Sequence, residues 1–81
     1  MSHEKIHEIV AVLEELMGDL TVPKNVKIHV QNTINALRKE DEMSLRVSRA
    51  LHELDEIAGD SNVESYTRSQ IWNVVSLLET L

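Results

Sequence analysis

The chain has 81 residues and a formal net charge of −6, which fits a single domain and works against a general nucleic-acid binder, since such a protein needs a basic surface. It contains no cysteine, which excludes a disulfide framework, and no apolar stretch approaches the roughly 20 residues that a membrane span requires. We therefore expect a cytoplasmic protein with no membrane segment and no cofactor. Its core must be aliphatic, because the sequence has no phenylalanine, one tyrosine (Tyr66) and one tryptophan (Trp72).

The first helix is predicted near residues 3–18 and ends at a glycine. At 100° per residue, its aliphatic side chains form one stripe and acidic residues lie opposite. The stripe consists of Ile6, Ile9, Val10, Leu13, Leu16 and Met17. Gly18 follows directly, and we expect it in the left-handed conformation that often ends a helix.

The second helix is predicted near residues 23–39, with Pro23 in its first turn, where the missing amide costs nothing. Its stripe consists of Val26, Val30, Thr33, Ile34 and Leu37. The centre of the stripe shifts by about 100° before Met43, so one continuous helix would point its two halves at different sides. We interpret "KEDEM" as a tight turn with Asp41 as the N-cap of the next helix.

The third and fourth helices are predicted near residues 42–58 and 64–80. The third stripe consists of Met43, Val47, Ala50, Leu51, Leu54, Ile57 and Ala58, and it ends at Gly59 as the first does at Gly18. The fourth stripe consists of Thr67, Ile71, Val74, Val75, Leu78 and Leu81. Ser61 with Glu64 has the spacing of a capping box, and Asn62 is the alternative cap.

The chain repeats itself at an offset of 41 residues, where "ELMGDLTVPKNV" aligns with "EIAGDSNVESYT". Identical pairs include Leu13 with Leu54 and Asp19 with Asp60. A period near 40 is typical of two-helix repeat units, although two amphipathic hairpins also agree in part by chance. We predict a four-helix bundle of two antiparallel hairpins within one domain, 1–81. The first repeat unit covers about 3–40 and the second about 42–81.

One motif with a chemical meaning lies at the start of the chain. "HEKIH", from His3 to His7, matches H-E-x-x-H, in which two imidazoles on one helix face bind zinc and Glu4 acts as general base. Helices fray this close to a terminus, and no further ligand pattern follows. We therefore interpret His3 and His7 as solvated side chains and predict no metal site and no catalytic residue.

The middle of the chain is locally basic and includes an acidic turn. The cations are Lys24, Lys27, Arg38, Lys39, Arg46 and Arg49. No aromatic residue lies among them to stack on bases, so we regard nucleic-acid binding as an alternative only. The turn Glu40-Asp41-Glu42 could hold a cation, but its simpler interpretation is a solvated turn that neutralises nearby charge.

Four large side chains fall outside the predicted stripes and are candidate interface residues: Trp72, Ile28, Leu45 and Tyr66. Trp72 lies roughly 130° from the centre of the fourth stripe. A tryptophan outside the core offers a large apolar surface of the kind enriched in binding hot spots. The alternative is that Trp72 folds over the edge of the bundle and covers the end of a neighbouring helix.

Several segments along the chain form one joint pattern: Leu16, Asp19, Thr21-Val22-Pro23, Asn25, Glu40-Asp41-Glu42, Leu54-Asp55-Glu56-Ile57, Ile71-Trp72-Asn73, Ser76, Leu78 and Glu79. Together these segments resemble a known family of small archaeal proteins of unknown function, uncharacterised protein family 147. The resemblance implies a compact all-α bundle in an archaeal cytoplasm and no assigned activity. Asp19 in the first turn, with Val26-Lys27 on the second helix, is also similar to HEAT repeats, which implies that the two hairpins are HEAT-like.

These observations favour a non-enzymatic protein–protein interaction module. We expect a protein partner, most simply a second copy of the chain in a homodimer or a higher homo-oligomer. The alternative is a nucleic-acid or ribonucleoprotein accessory factor that uses the basic middle of the chain.

Overall fold

The structure is a computed structural model that describes residues 2–81, with side chains from Glu4 onward. Four helices follow one another: α1 (Ser2–Met17), α2 (Lys24–Arg38), α3 (Met43–Ala58) and α4 (Ser65–Leu78). The described part of the chain contains no strand. The predicted all-α fold is confirmed, and the predicted helix bounds lie within two residues of the observed ones. Residues 39–42 are not helical, so "KEDEM" separates two helices as expected.

The helices form a closed ring. α1 packs on α2 and α4, α3 packs on α2 and α4, and within the described chain no Cα atoms of the diagonal pairs lie within 8 Å of each other. The bundle measures 33 × 19 × 18 Å. The HEAT-like detail is not confirmed, because α1 packs against α4 of the other hairpin and not against α3, its counterpart in the repeat.

The four predicted stripes meet in one aliphatic core. Leu13 and Leu54, which are equivalent in the repeat, are both completely buried. Thr33 is the main polar exception, and its hydroxyl donates to the His29 carbonyl at 2.8 Å. Removing these aliphatic side chains from water is the dominant force that holds the bundle together.

The repeated passage forms the same turn twice. Asp19 N–H donates to the Leu16 carbonyl and Val22 N–H donates to Asp19, both at 3.2 Å. In the second hairpin, Asp60 N–H donates to Ile57 at 3.1 Å and Val63 N–H donates to Asp60 at 3.2 Å. The valine at the end of each turn is buried. The repeat at an offset of 41 residues is therefore present in the backbone hydrogen bonds.

The carboxylate of each turn aspartate closes the turn. Asp19 Oδ1 accepts from the Thr21 hydroxyl at 2.7 Å and amide at 2.8 Å, and these bonds hold the pKa of Asp19 below its usual value. Asp60 Oδ1 accepts from the Asn62 amide at 2.8 Å, and that bond, followed by one from Asn25, lowers the pKa of Asp60. Such local bonds offer the chain an alternative to continued helix.

The helix ends differ from the predicted caps. Neither Gly18 nor Gly59 has a positive φ, so the predicted left-handed glycine ends are wrong. Gly59 has φ −95° and ψ 4°, a conformation that other residues can also adopt. The aspartate turn that follows ends the helix without a left-handed residue.

The predicted N-caps are also displaced. α3 begins after Glu42 and not after Asp41, and α4 begins after Glu64, which makes no side-chain capping bond, so the capping box with Ser61 does not form. Pro23 is the N-cap of α2 and lies directly before its first turn.

Candidate protein-binding groove

The four candidate interface residues are all exposed and are distributed over three helices. Trp72 is 51% exposed, Ile28 59%, Leu45 43% and Tyr66 62%. Tyr66 and Trp72 lie six residues apart on α4 and therefore point about 120° apart. Ile28 lies on α2, which is diagonal to α4 in the bundle. Of the four, Trp72 alone lines one of the grooves described below.

Trp72 borders a groove between α3 and α4, which we call the α3–α4 groove. It consists of two adjoining depressions of about 380 and 400 Å³ that share Ser48, Leu51 and Glu79. Its other lining residues are Met43, Ser44, Val47, His52, Asp55 and Ala58 on α3, and Val75, Leu78 and Leu81 on the α4 side. Trp72 thus lines the groove together with residues of α3 and leaves about half of its surface to solvent.

The equivalent groove of the first hairpin, the α1–α2 groove, has a more deeply buried floor. Ile6 and Val10 line it and are each 5% exposed. Their repeat counterparts in the α3–α4 groove, Val47 and Leu51, are only partly buried. Val75 is likewise partly buried. The α3–α4 groove therefore leaves apolar surface open at positions that the first hairpin closes.

The two grooves also differ in charge. Glu14 and Arg38 line the α1–α2 groove and form an ion pair of 3.4 Å across it. The repeat places Asp55 and Glu79 at these two positions, and both line the α3–α4 groove. Two carboxylates cannot form the pair that one acid and one arginine form in the first hairpin. No Lys or Arg is among the described residues that line the α3–α4 groove, so its rim is acidic.

A second contact lies at one end of the α1–α2 groove, which has a volume of about 430 Å³. Arg46 of α3 lines this groove and donates to the Leu37 carbonyl from Nε at 3.0 Å and also from its terminal nitrogen. Such bonds satisfy a carbonyl that a helix C-terminus leaves unpaired. Lys5 is the repeat counterpart of Arg46, and its Nζ donates to the Thr80 hydroxyl at 3.0 Å near the end of α4.

Half of the cations in the predicted basic middle have partners within the chain. Arg38 binds Glu14, Arg46 binds the Leu37 carbonyl, and Arg49 binds Asp41 at 3.0 Å. The bond from Arg49, followed by one from the Glu42 amide, lowers the pKa of Asp41. Half of the six cations thus have intramolecular partners. Nucleic-acid binding stays a prediction that no observation here favours.

Sequence analysis missed a polar contact between α2 and α3. Glu53 Oε1 accepts from His29 Nδ1 at 2.9 Å and from the Asn32 amide at 3.2 Å. The bond from His29 is the main cause that lowers the pKa of Glu53, followed by the bond from Asn32. The sequence carries no signal for this contact, because it depends on how α2 and α3 are aligned.

Leu20 was also missed and is the most exposed large apolar residue, at 95%. It lies in the first repeated turn, where the second turn has Ser61. That difference within the repeat was the signal that could have found it.

The remaining sequence motif is described only in part. His7 is exposed, and the side chain of His3 lies outside the described residues. Between Glu4 and Leu81, no three metal-ligating side chains come together. None of the helices in the described chain is long and apolar enough to cross a membrane.

Comparison with known proteins gives the family. The chain is 39% identical over 77 residues to a UPF0147 protein of Methanocaldococcus jannaschii, which covers 94% of this chain and 83% of that protein. It is 39% identical over 82 residues to one from Thermoplasma volcanium, which covers 100% of this chain and 92% of that protein.

Two solved structures share the fold. The crystal structure of the unknown-function protein MMP1188 has a TM-score of 0.95 and 40% identity, covering 100% of this chain and 93% of that one. A protein from Thermoplasma acidophilum, described as belonging to an uncharacterized family UPF0147, has a TM-score of 0.90 and 38% identity, covering 98% and 94%. The family model for UPF0147 matches residues 1–81, so the chain belongs to the uncharacterised protein family UPF0147, whose function is unknown.

Proposed function

We propose that this chain is a non-enzymatic protein-interaction module of the cytoplasm, which needs no cofactor and docks a partner protein in the α3–α4 groove with Trp72 as the anchor. One observation supports the proposal above all others. A half-exposed tryptophan borders a groove whose apolar floor is partly open, while the equivalent floor in the other hairpin is buried.

The energetics favour an anchor at Trp72. An aromatic side chain of this size can remove a large apolar area from water, and such residues dominate binding free energy when they fill a pocket. Val47, Leu51 and Val75 would be buried together with it, which adds roughly 25 cal/mol for each Å² of apolar surface removed from water.

Self-association is the simplest form of this function. In a homodimer or higher homo-oligomer, Trp72 together with Ile28 or Leu45 would anchor the contact between copies, most simply across a two-fold axis. This pairing is a prediction that no contact within a single chain tests.

The test compares two substitutions on α4. Trp72→Ala should weaken association by more than about 2 kcal/mol and leave the helical content intact. Tyr66→Ala is the matched control, since it removes an equally exposed aromatic side chain from another face of the same helix. Association is measured by analytical ultracentrifugation for the chain with itself, and by affinity purification from the native host for other partners.

Each outcome has a definite meaning. Proteins retained by wild type and Tyr66→Ala but lost with Trp72→Ala would support docking at the groove. A wild type that stays monomeric at high concentration would contradict the homodimer. A Trp72→Ala chain that unfolds, as followed by circular dichroism, would show that Trp72 serves the core and would contradict its role as an anchor.

A further inference from the structure

The internal repeat indicates what chemistry the α3–α4 groove lacks. In the first hairpin, Glu14 and Arg38 pair across the groove over a buried apolar floor. In the second hairpin, Asp55 stands at the position of Glu14 and Glu79 stands at the position of Arg38. The missing components are therefore one cation beside the two carboxylates and apolar side chains over the floor.

We propose that the α3–α4 groove binds a basic amphipathic helix of another protein, whose Lys or Arg side chain inserts between Asp55 and Glu79 and whose apolar face covers the groove floor. The proposal rests on the proposed function and names the class of partner. A cation at this place would take the role that Arg38 takes beside Glu14, with two carboxylates to receive it instead of one.

The size of the groove suits a helix. Its lining runs along α3 from Met43 to Ala58, which is about 22 Å at 1.5 Å per residue. A ligand helix of about four turns would match this length and would make a three-helix contact with α3 and α4, the helix-in-groove mode of recognition. The partly buried Val47, Leu51 and Val75 would meet its apolar face.

Charge disfavours a second copy as the occupant. Two copies that meet groove to groove would bring both Asp55 and both Glu79 carboxylates into one interface, and like charges juxtaposed at an interface cost several kcal/mol. Salt should therefore strengthen such a self-contact by screening the repulsion, and it should weaken the binding of a basic helix.

The experiment uses the single tryptophan as its probe. The ligand is a synthetic 15-residue amphipathic helix of leucine and arginine without aromatic residues, and its control has glutamate in place of arginine. Because Trp72 is the only tryptophan, its emission reports on the groove directly. We expect a saturable blue shift with the arginine peptide that weakens as salt is raised, and no shift with the glutamate peptide.

Two variants test the site against general attraction to an acidic protein. Glu79→Arg gives Asp55 an internal partner, as Arg38 is for Glu14, and should weaken peptide binding about tenfold or more. Glu15→Arg makes the same change in charge on the exposed face of α1 and should leave binding within about twofold. Asp55→Asn, which removes one carboxylate without adding a cation, should have a smaller effect than Glu79→Arg.

Several results would overturn the inference. Equal losses with Glu79→Arg and Glu15→Arg would show attraction to net charge alone. Equal blue shifts with both peptides would show that the rim plays no part. Self-association that depends on Trp72 and strengthens with salt would assign the groove to a second copy, which would defeat this inference and leave the proposed function standing. Failure of the proposed function itself would instead appear as Trp72→Ala retaining every partner.

Discussion

The two hairpins of this bundle share their turns and core positions and differ in the side chains that line the groove between their helices. In both, an aspartate turn joins two helices, and equivalent leucines such as Leu13 and Leu54 are completely buried. The α1–α2 groove, of about 430 Å³, is bridged by an ion pair and lined by Arg46, while the α3–α4 groove has two acids and the half-exposed Trp72. The two repeat units thus agree at the core and turn positions, and they differ at the positions that line the rims of the grooves.

The largest expected effect tests the shared core. Leu13→Ala and Leu54→Ala should each lower the free energy of unfolding by about 3 kcal/mol, because each leaves a cavity at a fully buried position. Urea denaturation followed by circular dichroism measures both. If the two losses differ by more than about 1.5 kcal/mol, the hairpins do not contribute equally to one core.

A pair of identical substitutions tests the difference between the groove floors. Val10→Ala should cost about 2 kcal/mol, since Val10 is buried, and Val47→Ala should cost about half as much, since Val47 keeps part of its surface in water. The same denaturation experiment compares them. Equal costs would mean that the α3–α4 groove is as well closed as its counterpart.

The contacts at the groove ends should differ in strength. Arg46→Ala should lower stability by about 1.5 kcal/mol, because it removes a charge-assisted bond and leaves the Leu37 carbonyl without that partner. Lys5→Ala removes one exposed bond to Thr80 and should cost less than about 0.5 kcal/mol. Thermal unfolding of both variants is the measurement, and a reversed order would contradict the view that the first hairpin is the more firmly closed.

The smallest expected effect concerns how the contact between Glu53 and His29 contributes to stability at different pH values. The contact with His29 holds the pKa of Glu53 below its ordinary value of 4.5. The stability that the ionised carboxylate adds is therefore fully present above pH 4.5 and is lost as the pH falls through the lower pKa of the folded state. Glu53→Gln should therefore destabilise the chain by less than about 1 kcal/mol at neutral pH, and the two proteins should converge in acid.

The control for this prediction is Glu15→Gln, a change on the exposed face of α1. It should leave the free energy of unfolding within about 0.5 kcal/mol of wild type at neutral pH. A Glu53→Gln chain whose loss of stability persists unchanged in acid would show that the contact with His29 does not depend on the carboxylate charge.

Local pattern predicted the helices better than it predicted their ends. The stripes depend only on residue spacing, so all four helices and the break before Met43 could be found from the sequence. The left-handed glycines were wrong because Asp19 and Asp60 close the turns with their own side chains, a feature that depends on turn geometry. The exposure of Trp72 was predicted from its angle on α4, but its place in a groove was not.

The sequence by itself determined the four amphipathic helices, the repeated turn and an aliphatic core without cysteine, because each follows from spacing and side-chain type. Only the tertiary structure decided that α1 closes on α4, that Glu53 meets His29, and that Trp72 borders the open groove with Asp55 and Glu79. The physical reason is that these features depend on the alignment and rotation of helices against one another. Packing of the whole core sets that alignment, and a periodic pattern along one helix does not contain it.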